Sequence, residues 1–133
     1  MARSYTVLYA PEAGSERVAG YLVFRRMHHE GVELGVILDL QVSENAANEL
    51  TGLLLGTALT QMDGSGAHAA LALLMPADPL NRLFRRSGFI SVPRKFNPNP
   101  LDFMIKPAGG DLDHDFLCNP ANWRLGFGDN DVF

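Results

Sequence analysis

The chain is poor in cysteine, in aromatic donors, in basic charge and in long apolar runs. Cys118 is the only cysteine in 133 residues, which excludes an internal disulfide and the stapled folds of small secreted domains. Apolar runs such as Leu53–Leu55 and Ala70–Pro76 fall far short of the roughly 20 residues that cross a bilayer. The opening "MARSYTVLYAPEAG" has no apolar h-region, so no leader is read there and a cytoplasmic protein is expected, with no membrane partner. Eleven Lys and Arg face 15 Asp and Glu, a net charge of -4. A nucleic-acid binder needs a basic face, and none is read here. The arginine pairs in "FRRMHH" and "FRRSGF" are too few for a stripe and read as solvated faces.

Constellations for metal or nucleophilic chemistry are also missing. His28 and His29 are adjacent, which sends their side chains to opposite faces of a strand, and His68 and His114 are distant; no metal-ligand spacing results. "DLDHD" (Asp111–Asp115) begins like a calcium loop, but Phe116 and Asn122 stand where glycine and glutamate are required. A solvated acidic loop is expected instead. Cys118 has no nearby base to lower its pKa. Ser43 and Ser87 sit at helix caps rather than on a nucleophile elbow. No catalytic residue and no metal site is assigned.

What remains is an ordinary globular composition, 47% hydrophobic and 20% charged, of a size that suits one core. "YTVLYA" (Tyr5–Ala10) and "VAGYLVFRRM" (Val18–Met27) read as a hairpin of strands around the turn "PEAGSER". After "HHEG", Val32–Val42 reads as a third strand. Its alternation gives way to the apolar run "VILDL", as in a strand moving toward the middle of a sheet. A long helix follows: Ser43 as N-cap, Glu44 at the positive end of the dipole. Ala46, Ala47, Leu50, Leu53, Leu54, Leu55, Ala58, Leu59 and Met62 recur at helical spacing, and "DGSG" (Asp63–Gly66) stops it.

Ala69–Met75 reads as a buried strand parallel to the third, because a helix separates the two. "ADPLNRLFRRSGF" predicts a short helix with Asp78 as cap, Pro79 at its first position and Gly88 past its end. "FISVPRKF" and "LDFMIK" are extended segments joined by Asn97–Pro100. From Pro107 onward only Trp123–Phe127 is strand-like. The fold class is therefore α/β (α+β): a mixed, mostly antiparallel sheet with one βαβ crossover and two packed helices. Residues 1–106 form the domain. Residues 107–133 form an irregular tail that packs on it or on a partner chain.

That order of elements resembles the latter two-thirds of the GNAT acyltransferase superfamily, from about Tyr5 to Lys106. "GYLVFRR" is similar to the family's "G-x-[ILV]-[ILV]" hairpin strand. "GVILDLQV" resembles the central strand whose splayed end admits the pantetheine arm of an acyl-CoA. "LNRLFRRSGF" resembles the "A-x-x-[LF]-[YF]-x-x-x-G-F" helix that packs beside CoA. "WRLGFGDNDVF" looks like the ending of some bacterial GNAT-like proteins. The resemblance implies a chain lacking the family's N-terminal strand and helices, and an apolar surface left open by their absence. A homodimer would cover it.

The chain departs from the family where the pyrophosphate binds. The family's "[RQ]-x-x-G-x-[GA]" turn offers backbone N–H groups to that anion. Asn45, Asn48 and Leu50 hold the corresponding places, with Glu44 and Glu49 adding negative charge. Like charges a few Å apart near a surface cost on the order of several kcal/mol, against the roughly 0.3–2 kcal/mol that a helix N-terminus offers an anion. Phe84 stands where many members place a tyrosine that protonates the leaving thiolate.

Two readings follow. The one placed first is a non-catalytic, dimeric module that binds a small-molecule ligand or a protein, with no cofactor assigned. The alternative is an acyl-CoA-dependent N-acyltransferase that uses backbone groups of the central strand, with acetyl-CoA or another acyl-CoA as cofactor. In that case Leu40, Gln41, Val42, Asn45 and Asn48 would line the cofactor, and Asp39 or Glu33 could supply the acceptor's base.

Overall fold

The computed structural model describes residues 4–44, 47–93, 95 and 113–127. These residues fall into two compact units, one up to Leu73 together with the segment from Leu125, the other from Leu74 to Arg124.

The first unit is a four-stranded sheet in the order β1-β2-β3-β4 with one long helix. β1 (Thr6–Pro11), β2 (Val18–His29) and β3 (Val32–Val42) pair antiparallel, and β4 (Ala69–Ala72) joins β3 in parallel after the helix α1 (Ala47–Gly64). The expected mixed sheet with one βαβ crossover is the sheet observed. β2 turns into β3 through Glu30 and Gly31, both at positive φ (48° and 83°), between the paired residues His29 and Val32. Positive φ at both central positions is the signature of the two-residue hairpin turn whose twist matches that of the strands.

α1 lies across the sheet because its apolar residues share one face. Thr51, Leu54, Leu55, Ala58 and Met62 are buried at helical spacing, as are Leu22, Phe24, Ile37 and Leu40 of the strands. Leu53, expected on the buried face, is 66% exposed; it lies outside the stripe set by Leu54 and Ala58. Thr57 and Thr60, also exposed, donate their hydroxyls to the carbonyls of Leu53 and Gly56. The cap expected at Ser43 involves Asn45 and Ala46, which lie outside the described residues. Ser43 itself donates its N–H to the Ala19 carbonyl at 2.8 Å and so extends the β2–β3 ladder.

The second unit contains α2 (Leu80–Arg86), the short helix α3 (His114–Cys118) and a 3-10 turn at Pro120–Asn122. Asp78 does the capping predicted of it: its Oδ1 accepts from the Leu80 N–H at 2.8 Å. Its Oδ2 lies 3.4 Å from Arg124 Nε. Gly88, at φ 93°, closes α2, and the Phe89 N–H reaches back to the Phe84 carbonyl. Of the stretch read as a solvated acidic loop, the described residues from Asp113 start a helix, because Asp113 accepts from the N–H groups of Asp115 and Phe116; Asp111 and Leu112 lie outside the described residues. Ser91–Pro93 and Trp123–Phe127 form no strand, and "LDFMIK" lies outside the described residues.

One packing constraint ties α1 to β3. A Cβ on Gly35 would run into the Met62 side chain, so a larger residue here has to displace the buried methionine. Gly35→Ala should cost about 1–3 kcal/mol through overpacking, and Met62→Ala about 2–5 kcal/mol through the cavity it leaves. The double variant should lose clearly less than the sum, because the new methyl enters that cavity. Urea unfolding of the four proteins measures this, and strict additivity would refute the contact.

Candidate functional site

The site begins with a slip of phase in β3. Val23 of β2 lies opposite Asp39, but Phe24 lies opposite Ile37, so Leu38 is an extra residue, a β-bulge. On one side of the bulge, the Glu33 carbonyl accepts from the His68 N–H, which turns the backbone groups of Glu33, Gly35 and Ile37 toward β4. On the other side, the Ser43 N–H bonds Ala19 of β2, which turns those of Asp39 and Gln41 toward β2. The alternation of a strand then leaves Leu38, Leu40 and Val42 with their backbone groups on the β4 side.

β4 does not pair with them. Its pairing with β3 ends at Ile37↔Ala72, and Ala72 ends the strand that the sequence extended to Met75. β3 runs on to Val42 with β2 as its paired neighbour. β3 and β4 therefore part beyond Ile37, and the notch between these two strands has the main chain of β3 as one wall. The described segment Leu125–Phe127 belongs to this unit, and Gly126 crosses at the mouth of the notch. A Cβ on Gly126 would stand 2.6 Å from the Leu38 carbonyl oxygen.

The face of β3 opposite α1 carries different chemistry. The Tyr21 hydroxyl donates to Asp39 Oδ2 at 2.7 Å across the strands. Beyond them, Val18–Tyr21 and Gln41–Ser43 line an open depression of about 320 Å³, within the size range of small-ligand pockets. Arg25, on this same face, is only 8% exposed, which corrects the reading of "FRRMHH" as wholly solvated. Its guanidinium touches Met27 Sδ at 3.9 Å, and its Nε has no hydrogen-bond partner among the described residues. The alternation of "YLVFRRM" was the available signal: it puts Arg25 in register with Val23 and Met27.

The predicted site residues divide accordingly. Leu40, 5% exposed, and the half-buried Val42 share the notch edge through their backbone. Gln41 is exposed and lines the depression on the other side of β2 and β3. Asn48 is exposed near the start of α1, and Asn45 lies outside the described residues. The two carboxylates weighed as bases are also separated. Asp39 is beside the notch. Glu33 is six residues away along β3, about 20 Å at strand rise. There Glu33 is held by His28 Nδ1 at 2.8 Å and Arg26 at 3.3 Å, and its own N–H donates to His68 Nδ1. Among the described residues no group of three metal-ligating side chains occurs, and no helix is long and apolar enough to cross a membrane. Phe84 is buried with its ring 4.9 Å from that of Phe89.

No protein-family model matches the chain, and no curated protein does. Solved structures do. A Pyrococcus furiosus protein described as an acetyl transferase is similar over 80% of this chain and 67% of its own, with 17% identity and a TM-score of 0.62. An acetyltransferase of Trypanosoma brucei is similar over 74% and 69%, with 16% identity and a TM-score of 0.60. Glucosamine-6-phosphate N-acetyltransferase from Arabidopsis thaliana is similar over 79% and 67%, with 14% identity and a TM-score of 0.54. At these identities the likeness is one of fold. The chain has the fold of these acetyltransferases, the GNAT-like fold that its order of elements implied.

Glu33, at the far end of β3 from the notch, gives the fold a pH signature. The hydrogen bond from His28, foremost, holds its carboxyl below the ordinary range; partial desolvation opposes this, and Arg26 adds to the lowering. A carboxylate depressed in the folded state stabilises above its unfolded pKa, and that contribution disappears as pH falls through the folded value. Glu33→Gln should therefore lower Tm near neutral pH and converge on the wild type under acid. A gap in Tm that persists well below the carboxylate range would contradict the assignment.

Proposed function

We propose that this domain binds a pantetheine-type ligand, such as an acyl-CoA, along the backbone edge of β3 without itself catalysing acyl transfer. The observation that carries the proposal is the bulge at Leu38 coupled to the end of β4 pairing at Ile37↔Ala72. An extended chain rich in amides, as pantetheine is, recognises a strand edge through main-chain hydrogen bonds, in the manner of an added strand. That recognition needs no particular side chain. The non-catalytic half rests on what is missing where the resemblance implies chemistry. Phe84 has no proton to deliver to a thiolate, and Glu44, exposed after β3, repels a pyrophosphate.

A second reading is favoured by one observation, the Tyr21–Asp39 pair. Asp39 is a half-buried carboxylate beside the notch, already oriented by a hydroxyl. It could take the proton of an attacking amine while backbone N–H groups polarise the thioester carbonyl. In that reading the domain is an acyl-CoA-dependent N-acyltransferase. Glu33 is excluded as its base by distance and by its ties to His28 and Arg26.

The domain also acts as a homodimer in this proposal. Tyr5, Val7 and Tyr9 are 51%, 56% and 67% exposed at alternate positions, which places them on one face at the β1 edge of the sheet. No charged side chain occurs from Tyr5 to Ala10 to discourage a second copy from pairing there.

Acetyl-CoA at about a hundred times its dissociation constant should stabilise the protein by about 2.7 kcal/mol, a rise of several degrees in Tm. No rise at millimolar acetyl-CoA would overturn the proposal. Release of free thiol with an amine acceptor, abolished in Asp39→Asn while the shift persists, would instead establish the second reading. Light scattering at micromolar concentration should give twice the chain mass, and Val7→Lys should return it to one. A monomeric wild type would end the dimer proposal.

A further inference from the structure

β1 is an edge of the sheet, with β2 on one side and, among the described residues, no strand on the other. Two hydrogen bonds fix which of its main-chain groups face outward. The Glu12 N–H donates to the Arg17 carbonyl at 2.9 Å, so the groups of Glu12 point toward β2. On β2, the Ala19 carbonyl accepts from Ser43, which turns Ala19 toward β3 and, by alternation, Gly20 and Leu22 toward β1. Their partners in register are Ala10 and Leu8. Both bonds give one phase. Thr6, Leu8, Ala10 and Glu12 turn toward β2, and Tyr5, Val7, Tyr9 and Pro11 turn their main-chain groups to the outer edge. The register shift at Ala10 and Pro11 adds a residue, Ala19, to β2 and leaves the alternation of β1 intact.

The phase of Pro11 is informative. Proline has no N–H to give, so facing outward it takes nothing from the β1–β2 ladder, and it ends the row of donors on the outer edge. Tyr5, Val7 and Tyr9 keep theirs. The side chains of Val7 and Tyr9 lie beside Val23 and Tyr21 on the face opposite α1. In two-fold pairing each residue meets its own kind or a symmetry-related position, so a charge near the axis is brought close to its own copy. From Tyr5 to Ala10 there is no charge, which suits this edge to a second copy of itself.

We propose that two copies join β1 against β1, antiparallel, about a two-fold axis at Val7, so that their four-stranded sheets become one. This rests on the dimer reading above and adds its surface, axis and register. Val7 then lies opposite the partner's Val7, and Tyr5 opposite the partner's Tyr9, so each outward donor and acceptor from Tyr5 to Tyr9 has a mate. An axis one residue nearer Pro11 sets that ring against the partner's Tyr5, whose carbonyl then lacks a donor. An axis one residue the other way carries Tyr9 beyond the partner's Tyr5. The axis at Val7 also brings the partner's Tyr5 beside Tyr9, which neighbours Tyr21, and Tyr21 donates to Asp39. The face that holds Asp39 thus continues across the boundary, with one aromatic residue supplied by the second copy.

Hydrogen exchange on the wild type tests the surface. The Val7 and Tyr9 amides should exchange about tenfold more slowly in the dimer than after dilution to monomer, while Leu8 and Ala10, bonded to β2, change far less. Val7 and Tyr9 amides that stay fast in a protein shown to be dimeric by light scattering would overturn the proposal and leave the dimer reading standing. A protein monomeric at every concentration would end both. Cysteines test the register in a chain that also carries Cys118→Ser. Val7→Cys should oxidise to a linked dimer, since residues paired across the axis stand about 5.5 Å apart, within the roughly 4.4–6.8 Å that a disulfide spans. Tyr9→Cys should not link to itself, its copies being offset by about 13 Å along the strands, but should link to Tyr5→Cys when the two are mixed. Self-linking of Tyr9→Cys, or none by a dimeric Val7→Cys, would refute the axis at Val7.

Discussion

The extra residue at Leu38 determines the rest of the sheet's geometry. Ahead of it, Gly35 and Ile37 face α1; after it, Leu40 and Val42 do, opposite Leu22 and Gly20. Without the extra residue the alternation would continue through odd positions and drive Asp39 and Gln41 against Leu54 and Leu55. Burying a carboxylate there without a partner costs several kcal/mol. A bulge lets one strand satisfy both halves of its own pattern, at the expense of bending away from β4. The notch is the consequence of that bend.

This explains why the central strand was only half legible. The residues "GVILDLQV" are apolar without a break from Val36 to Leu38, and Val36 and Ile37 are both buried, so no alternation marks the slip there. Read as a run of apolar residues, they suggested a strand sinking into the sheet. Only the polar Asp39 and Gln41 set a phase, which puts Leu40 and Val42 on the α1 face after the bulge. The end of β4 was less accessible. "AALALLM" is apolar throughout, and nothing in its composition marks Ala72 as the last paired position. The ladder ends there because β3 has turned away, which is a property of the other strand. Arg25 and Leu53 failed for a related reason: both sit in periodic segments where one phase step decides burial. Asp78, Gly88 and the Glu30–Gly31 turn were readable because caps and turns are fixed by residues adjacent in sequence.

The same distinction separates the two kinds of site residue. Asn45 and Asn48 were inferred from a side-chain motif that this chain does not carry, whereas the role proposed for Leu40 and Val42 runs through main-chain groups whose direction the bulge sets. A site made of backbone leaves almost no side-chain signature. Its trace in sequence is indirect, in the phase of apolar residues and in glycines where two backbones approach. Gly35 beneath Met62 and Gly126 over Leu38 are of this kind, and neither sits in a recognisable motif.

The turn between β3 and α1, with no glycine, therefore decides less than it first suggests. Losing glycine there removes close backbone approach to a pyrophosphate, and Glu44 makes the position unfavourable for an anion by charge alone. Neither change touches the edge formed by Leu38, Leu40 and Val42, which is uncharged and lies before the turn. A ligand with a long amide-bearing arm meets these two regions separately, so affinity for the arm can persist after affinity for the phosphates has weakened.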